Sequence, residues 1–377
     1  MRLYVDIDPS TYEAIKELVA ESRYESVEQF LRVAADNQLS VERSDDSTRA
    51  GAHPDSSSST PSGGTAPTDA TESGLVDSSG PPATAYEWQY DPPASPPTRE
   101  PAPANRDQTL LFSQYYRFVP LKFSFVELAR VTADAGGPVL LDEFRDHMRE
   151  AVVPVRDALV AWETEADVKK QNRFSTGFPK RDSKNPERSV KRYLDHYVGL
   201  FRGEAGEPGG MGHQLGFVSI RVFDEEPTIA LSNAGAVFVA MRNPLLAEGP
   251  TRGRPPLSED ERNFLVAHLQ RELPYEYEFV DYVYEILAQH TGTYTNHMER
   301  FRLFLDQAPG FTDDPGENRV RSHTAGTISR MVDLGILERG DRRGEYVPVR
   351  APEAFRYPDR TATESQPETT NDATTDS

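Results

Sequence analysis

Residues 168–192, VKKQNRFSTGFPKRDSKNPERSVKR, hold the side chains of this sequence best suited to gripping an anion. Nine Lys or Arg stand there against Asp182 and Glu187, in a chain whose 61 acidic and 41 basic groups give a net charge of −20. Of seven lysines in 377 residues, five lie in this window: Lys169, Lys170, Lys180, Lys184 and Lys191. The chemistry on offer is electrostatic. Ammonium and guanidinium groups neutralise backbone phosphates and release counterions, the sequence-independent part of DNA affinity. The candidate phosphate contacts are Lys169, Lys170, Lys180, Arg181, Lys184, Arg188, Lys191 and Arg192. Phe174 and Phe178 between them either anchor the stretch or stack on bases. The alternative is a solvated surface loop.

Covalent and metal chemistry have no comparable cluster. Zero cysteine removes thiol catalysis, disulfides and Cys-based zinc sites. The eight His are scattered without ligand spacing, and no Gly-rich loop is followed by Lys and Ser or Thr as phosphate cradles require. The Gly-rich run GEAGEPGGMG at 203–212 lacks such a lysine. The expectation is a protein that is not an enzyme and takes no cofactor and no metal.

Length allows two or three domains with real cores. Residues 1–108 carry 8 basic and 19 acidic groups, and residues 351–377 carry 2 and 6, so the ends hold most of the negative charge. Few lysines, abundant Asp and Glu and no Cys resemble the proteins of extreme halophiles such as haloarchaea, where high negative charge maintains solubility. No apolar run reaches the roughly 18 residues of a membrane span. A soluble, cytoplasmic protein with no membrane partner is expected.

The phosphate-binding candidates must be positioned by folded elements, and composition marks where these lie. Residues 44–107 are rich in Ser, Thr, Pro, Gly and Asp and predict a disordered linker; 352–377 predict a disordered acidic tail. AYEWQY at 85–90 is an aromatic island in that linker, either a transient docking segment or a motif for a protein partner. Residues 1–43 form a unit of their own. Leu3, Val5 and Ile7 alternate with Arg2, Tyr4 and Asp6 as in a strand. Asp8-Pro9 opens a helix, and Ser26 with Gln29 caps a second.

This order, carried by RLYVDIDPSTYEAI and RYESVEQFLRVAA, resembles the ribbon-helix-helix family, whose chains pair strands into a two-chain ribbon. The resemblance implies a homodimer through residues 1–43. It also implies DNA reading by the outward Arg2, Tyr4 and Asp6, with phosphate held near Ser26. Asp6 departs from the basic or amide group usual there, although a carboxylate can accept from cytosine N4.

Residues 108–248 and 258–351, joined by a linker at 249–257, each resemble a winged helix. In the first, FSFVELARVTADAGG, LLDEFRDHMRE (with Asp142 as N-cap) and PERSVKRYLDHYVGLFRG are helical by spacing. HQLGFVSIRVFDEEPTIALSNAG reads as a hairpin, and LSNAGAVFVAMRNPL as the helix after it. In the second, LSEDERNFLVAHLQREL, YEYEFVDYVYEILAQH and TNHMERFRLFLDQA are helices, followed by ENRVRSHTAGTISRMVDLGILERGDRRGEYVPV. Its apolar stripe Val320, Ile328, Met331, Val332 and Leu334 ends at Gly335, and a basic-tipped hairpin follows. The resemblance implies major-groove contacts from Arg319, Arg321, Ser322, His323, Thr324, Thr327 and Arg330, and backbone contacts from Arg342 and Arg343. Arg252-Gly253-Arg254-Pro255 has the core of an AT-hook, whose extended Arg-Gly-Arg enters a narrow minor groove; the plain alternative is a stiff linker.

The fold class expected is therefore mainly α with small β elements: a ribbon-helix-helix, a disordered linker and two winged-helix domains. The function expected is binding of double-stranded DNA as a transcription regulator. A plasmid or chromosome partition or replication-initiation factor is the near alternative, and a winged-helix protein–protein scaffold the distant one. A lone strand and two helices leave Leu3, Val5, Ile7 and Phe30 without a closed core. Light scattering at micromolar concentration should accordingly report a dimer, and a monomer would refute the pairing.

Overall fold

The structure, a computed structural model, describes residues 86–101, 105–181, 183–202, 206–290, 292–309, 311 and 316–357, together with Lys16. Arg2, Tyr4, Asp6, Ser26, the rest of the 1–43 unit apart from Lys16, and the 44–85 stretch lie outside the described residues. So do residues 358–377 of the tail. The chain divides into two units, Met1–Ser78 and Ser79–Ser377, and everything below concerns the second. It is mainly helical with small sheets. Among the described residues no helix is long and apolar enough to cross a membrane.

At the centre stands α1 (Val119–Ala135), buried on nearly every side from Val119 to Ala129, as a helix apolar all round must be. A short strand β1 (Val139–Leu140) leads into α2 (Leu141–Glu165), 25 residues long. The N-cap of α2 is Leu140, and Asp142 sits in its first turn instead of capping it. After the basic stretch come α3 (Pro186–Tyr193) and a π-helical turn (Leu194–Val198). The helix expected through Leu200 thus stops early, and Leu200 opens strand β2 (Leu200–Arg202), which pairs with β3 (Glu207–Gly209). A single turn α4 (Met211–Gln214) precedes the hairpin of β4 (Val218–Phe223) and β5 (Glu226–Leu231). The sheet order β1-β5-β4 is antiparallel throughout, with Val139 opposite Ile229 and Ile220 opposite Ile229 on the other side. Then α5 (Asn233–Ala240) is capped by Ser232, which accepts from the Gly235 amide, and α6 (Pro244–Glu248) by Asn243.

The C-terminal half consists of four helices followed by a two-stranded sheet. α7 (Glu259–Glu272) opens on a Ser258–Glu261 capping box; α8 (Pro274–Gln289), α9 (Met298–Leu305) and α10 (Glu317–Asp333) follow. Strands β6 (Leu337–Arg339) and β7 (Tyr346–Pro348) close it, with a lone bridge from Thr293 to Glu345. Gly335 adopts φ 71°, the left-handed conformation that ends helices cheaply in glycine.

The two halves are not beads on a string. They share a core in which Phe217, Phe238, Phe264 and His268 stack at 4.5–6.0 Å. Residues 249–257 form a turn within this body, with Leu257 buried and the Pro256 carbonyl accepting from Asn243. Residues 86–101 of the expected linker lie against the folded body. Tyr86, Trp88 and Tyr90 pack on the core, the Tyr90 hydroxyl donates to the Met241 carbonyl at 2.7 Å, and the Arg99 amide joins Leu231. Three aromatics carry enough apolar area to dock a polar segment. The tail likewise begins folded, with Phe355 buried and Tyr357 edge-on to Phe264.

Two buried ion pairs fasten the halves, and a third within the C-terminal half is hydrogen-bonded to the other by Leu111 and Tyr115. Lys122 on α1, fully buried, meets Glu261 of α7 at 2.9 Å and donates to the carbonyls of Phe238 and Met241. Burial pushes its amine down to about 8 against the pull of Glu261. Arg117 meets Asp333 of α10 at 2.9 Å. Arg330 of α10 meets Glu276 of α8 at 2.6 Å and donates to the Tyr115 carbonyl at 2.9 Å, while Glu276 also receives the Leu111 amide. Arg330 is therefore not a groove-facing cation. It is 1 % exposed, and Thr324 and Thr327 are buried beside it. Residues 110–118 lie across that face of α10 so closely that a Cβ on Gly326 would stand 2.2 Å from the Ser113 carbonyl oxygen. Removing one member of a buried pair strands the other, at a cost of about 3–5 kcal/mol. Arg330→Ala should lower the unfolding free energy by that amount in urea melts, whereas Arg321→Ala, on the exposed side, should change it by less than about 0.5 kcal/mol.

Candidate nucleic-acid interface

The basic stretch is a built loop. Glu163, near the end of α2 and 2 % exposed, receives both the amide and the hydroxyl of Ser175 at 2.6 Å. Phe174 packs on Trp162 with ring centroids 5.8 Å apart. Phe178, 4 % exposed, stacks on Tyr193 and leans on Phe123. Both phenylalanines are thus anchors and not stacking surfaces for bases. The Arg173 carbonyl accepts from Arg117 at 3.3 Å, the same guanidinium that holds Asp333. Further along, the Lys180 amide donates to Ser189, and Asn185 caps α3 through the Arg188 amide.

On this anchored frame every proposed cation points outward. Lys169, Lys170, Lys180, Arg181, Lys184, Arg188, Lys191 and Arg192 are all exposed. Two are paired: Arg181 with Asp157 at 2.8 Å, and Lys191 with Asp195, which also holds Arg145. The partners pull both carboxyls below their usual value despite partial burial, which raises them. Among the described residues no ion pair engages Lys169, Lys170, Lys180, Lys184, Arg188 or Arg192. Exposed Arg202 at the end of β2 joins them, a residue that sequence spacing did not mark.

The second cluster is smaller than expected. On the N-terminal part of α10, Arg319 is exposed with its guanidinium 4.3 Å from the Phe311 ring, and Arg321 is exposed and paired with Glu317 at 2.7 Å. Ser322 and His323 are half-buried there. Burial pushes the His323 imidazole down to about 4, so it is neutral at pH 7. Arg342 and Arg343 are exposed at the tip between β6 and β7. Tyr294 packs on that hairpin, its amide donating to the Gly344 carbonyl and its ring meeting Tyr346 edge-on at 6.0 Å. Thr324, Thr327 and Arg330 are withdrawn from the surface, as described.

Two other features bear on recognition. Arg252-Gly253-Arg254-Pro255 is a turn, with Gly253 at φ 77° and the Arg254 amide donating to Thr251. Arg252 is tied to the Ala166 carbonyl and Arg254 to Glu248, so the extended minor-groove hook is not formed. The tip of the β4–β5 hairpin carries Asp224, Glu225 and Glu226 beside exposed Val222 and Phe223. Phosphate would be repelled there. Among the described residues no group of three or more His, Asp or Glu could hold a metal ion. No family model, curated protein or solved structure matches the chain.

Residues that position the cations have no signature in the sequence. Glu163 and Arg117 act through contacts 12 and 56 positions away, which no local pattern reveals. Limited trypsin digestion tests the anchoring. The native loop should be cut slowly despite its Lys and Arg content, and Glu163→Ala should raise cleavage within 169–192 several-fold; equal rates would contradict it.

Proposed function

We propose that the protein binds double-stranded DNA as a transcription regulator, with both halves of its folded body acting as winged-helix units. The first half has a helix, a short strand, two helices and, after the β2–β3 pair, the β4–β5 hairpin; the second has two helices, the bridge residue Thr293, two more helices and the β6–β7 hairpin. In the first, the hairpin's second strand pairs with the early strand, giving the order β1-β5-β4; in the second, the Thr293–Glu345 bridge stands where that pairing would be. The observation that carries the function is the anchored loop: six exposed cations without acidic partners among the described residues, in a chain of net charge −20. Unpaired Lys and Arg on a rigid frame suit phosphate, because their side chains alone remain to be ordered on binding. Arg319, Arg321, Ser322 and His323, with Arg342 and Arg343, supply the second contact. A dimer through residues 1–43 would double both.

A second reading, a protein–protein scaffold, draws support from one observation. The first hairpin tip is acidic and apolar, which suits a protein surface and not DNA.

Replacing Lys169, Lys170, Lys180 and Lys184 with Gln separates the two. On the DNA reading, affinity falls about equally for specific and random duplexes, and the slope of log affinity against log salt flattens by about one unit for each phosphate no longer held. At molar salt the Debye length is about 3 Å, so direct contact is the route left to these lysines. Identical slopes for wild type and variant would leave the scaffold reading standing.

A further inference from the structure

Phe112 and Phe223 are the exposed phenylalanines among the described residues, at 39 % and 65 %. Phe223 stands among carboxylates. Phe112 has cations nearby: its ring lies 5.7 Å from His196, which Arg192 precedes by one helical turn and which Arg202 also influences. Both arginines are exposed and without acidic partners among the described residues; Asp195, the acidic group beside His196, is taken by Lys191 and Arg145. Tyr115 completes an edge-to-face trio with them at 5.4 and 5.5 Å, and Tyr116, half-buried, feels Arg192. Burial, and then Arg192 against the pull of Asp195, push His196 down to about 4, so its ring is uncharged at pH 7.

The backbone that carries Phe112 is fixed on both sides. The Leu111 amide is held by Glu276 at 2.9 Å, the Phe112 amide by Gln214 at 3.2 Å and the Tyr115 carbonyl by Arg330 at 2.9 Å. The Ser113 carbonyl sits against Gly326 of α10, where no Cβ would fit. Leu111 and Ser113 point inward, so Phe112 is held outward by construction. A fixed aromatic ring flanked by free guanidinium groups is the combination with which proteins hold an unstacked base and its phosphate.

We propose that Phe112 is a stacking contact for an unstacked nucleobase, so that the protein prefers duplex DNA carrying an unpaired or extruded base over a perfectly paired duplex. This rests on the DNA-binding reading and adds base chemistry to it. Arg192 and Arg202 take the flanking phosphates, and the preference arises because an already unpaired base has no stacking left to lose.

The test uses the full chain and two labelled duplexes, one perfect and one with a single unpaired 2-aminopurine, titrated with wild type, Phe112→Ala, Phe112→Trp and the four-Gln variant. Wild type should bind the unpaired duplex more tightly and quench its 2-aminopurine. Phe112→Ala should lose the quenching and weaken that binding by about ten- to a hundredfold. Its affinity for the perfect duplex and its salt slope should stay unchanged, while Phe112→Trp restores both quenching and affinity. Unquenched emission in the wild-type complex, or equal binding of the unpaired duplex by wild type and Phe112→Ala, overturns the proposal. If wild type binds neither duplex, the DNA reading has failed too; if it binds both alike and the four-Gln variant binds weakly, only the stacking contact has failed.

Discussion

Arg330 and Glu276, both 1 % exposed and 2.6 Å apart, set a condition that the rest of the folded body has to meet. Taking two charges out of water costs several kcal/mol per ion, and the attraction repays it only when the remaining donors and acceptors are also engaged. That is why residues 110–118 lie where they do. The Tyr115 carbonyl takes one Arg330 nitrogen, Thr327 accepts from another, and the Leu111 amide fills the second oxygen of Glu276. The same segment brings Arg117 to Asp333, whose carboxyl burial raises and that guanidinium lowers, with burial dominant. Lys122 and Glu261 repeat the device between α1 and α7.

The consequence is register between the halves. A greasy interface tolerates sliding; a buried, hydrogen-bonded ion pair does not, because a small displacement leaves a charge unpaired. Being out of water, these pairs are screened by salt far less than exposed ones. Arg117 extends the constraint to the surface, since it also holds the Arg173 carbonyl of the basic loop. The loop and the start of α10 are thereby held in one rigid body, and any ligand touching both meets them at a fixed separation.

Much of this was legible in the sequence and some could not be. Apolar spacing and caps located α1, α7, α8 and α10, and alternation with turn residues the β4–β5 and β6–β7 hairpins, because these depend on near neighbours in sequence. Ser258 and Glu261, three residues apart, form the capping box of α7, a contact that is local in sequence. Arg330 misled because its stripe on α10 is polar: Gly326, Arg330 and Asp333 look like a solvent face. Their partners lie 54 and 215 positions away, so only the closed fold shows that this face is covered. Leu200 left its helix for the same kind of reason, taken by pairing with Gly209. In the basic loop the charges were visible, and so was the choice between anchoring and stacking for Phe174 and Phe178. Trp162 and Tyr193 decide it for anchoring. The AT-hook core was a four-residue match whose neighbours, Glu248 and the Ala166 carbonyl, had already claimed both arginines.

The central claim is that one rigid body turns its unpaired cations toward phosphate and its acidic hairpin away. Hydrogen–deuterium exchange on the full chain, with and without saturating duplex DNA, addresses it most directly. The account predicts added protection in residues 168–192 and at the start of α10, with the β4–β5 tip at 222–226 unchanged. Protection confined to that acidic tip, or none in the basic loop under conditions where DNA is bound, would contradict it.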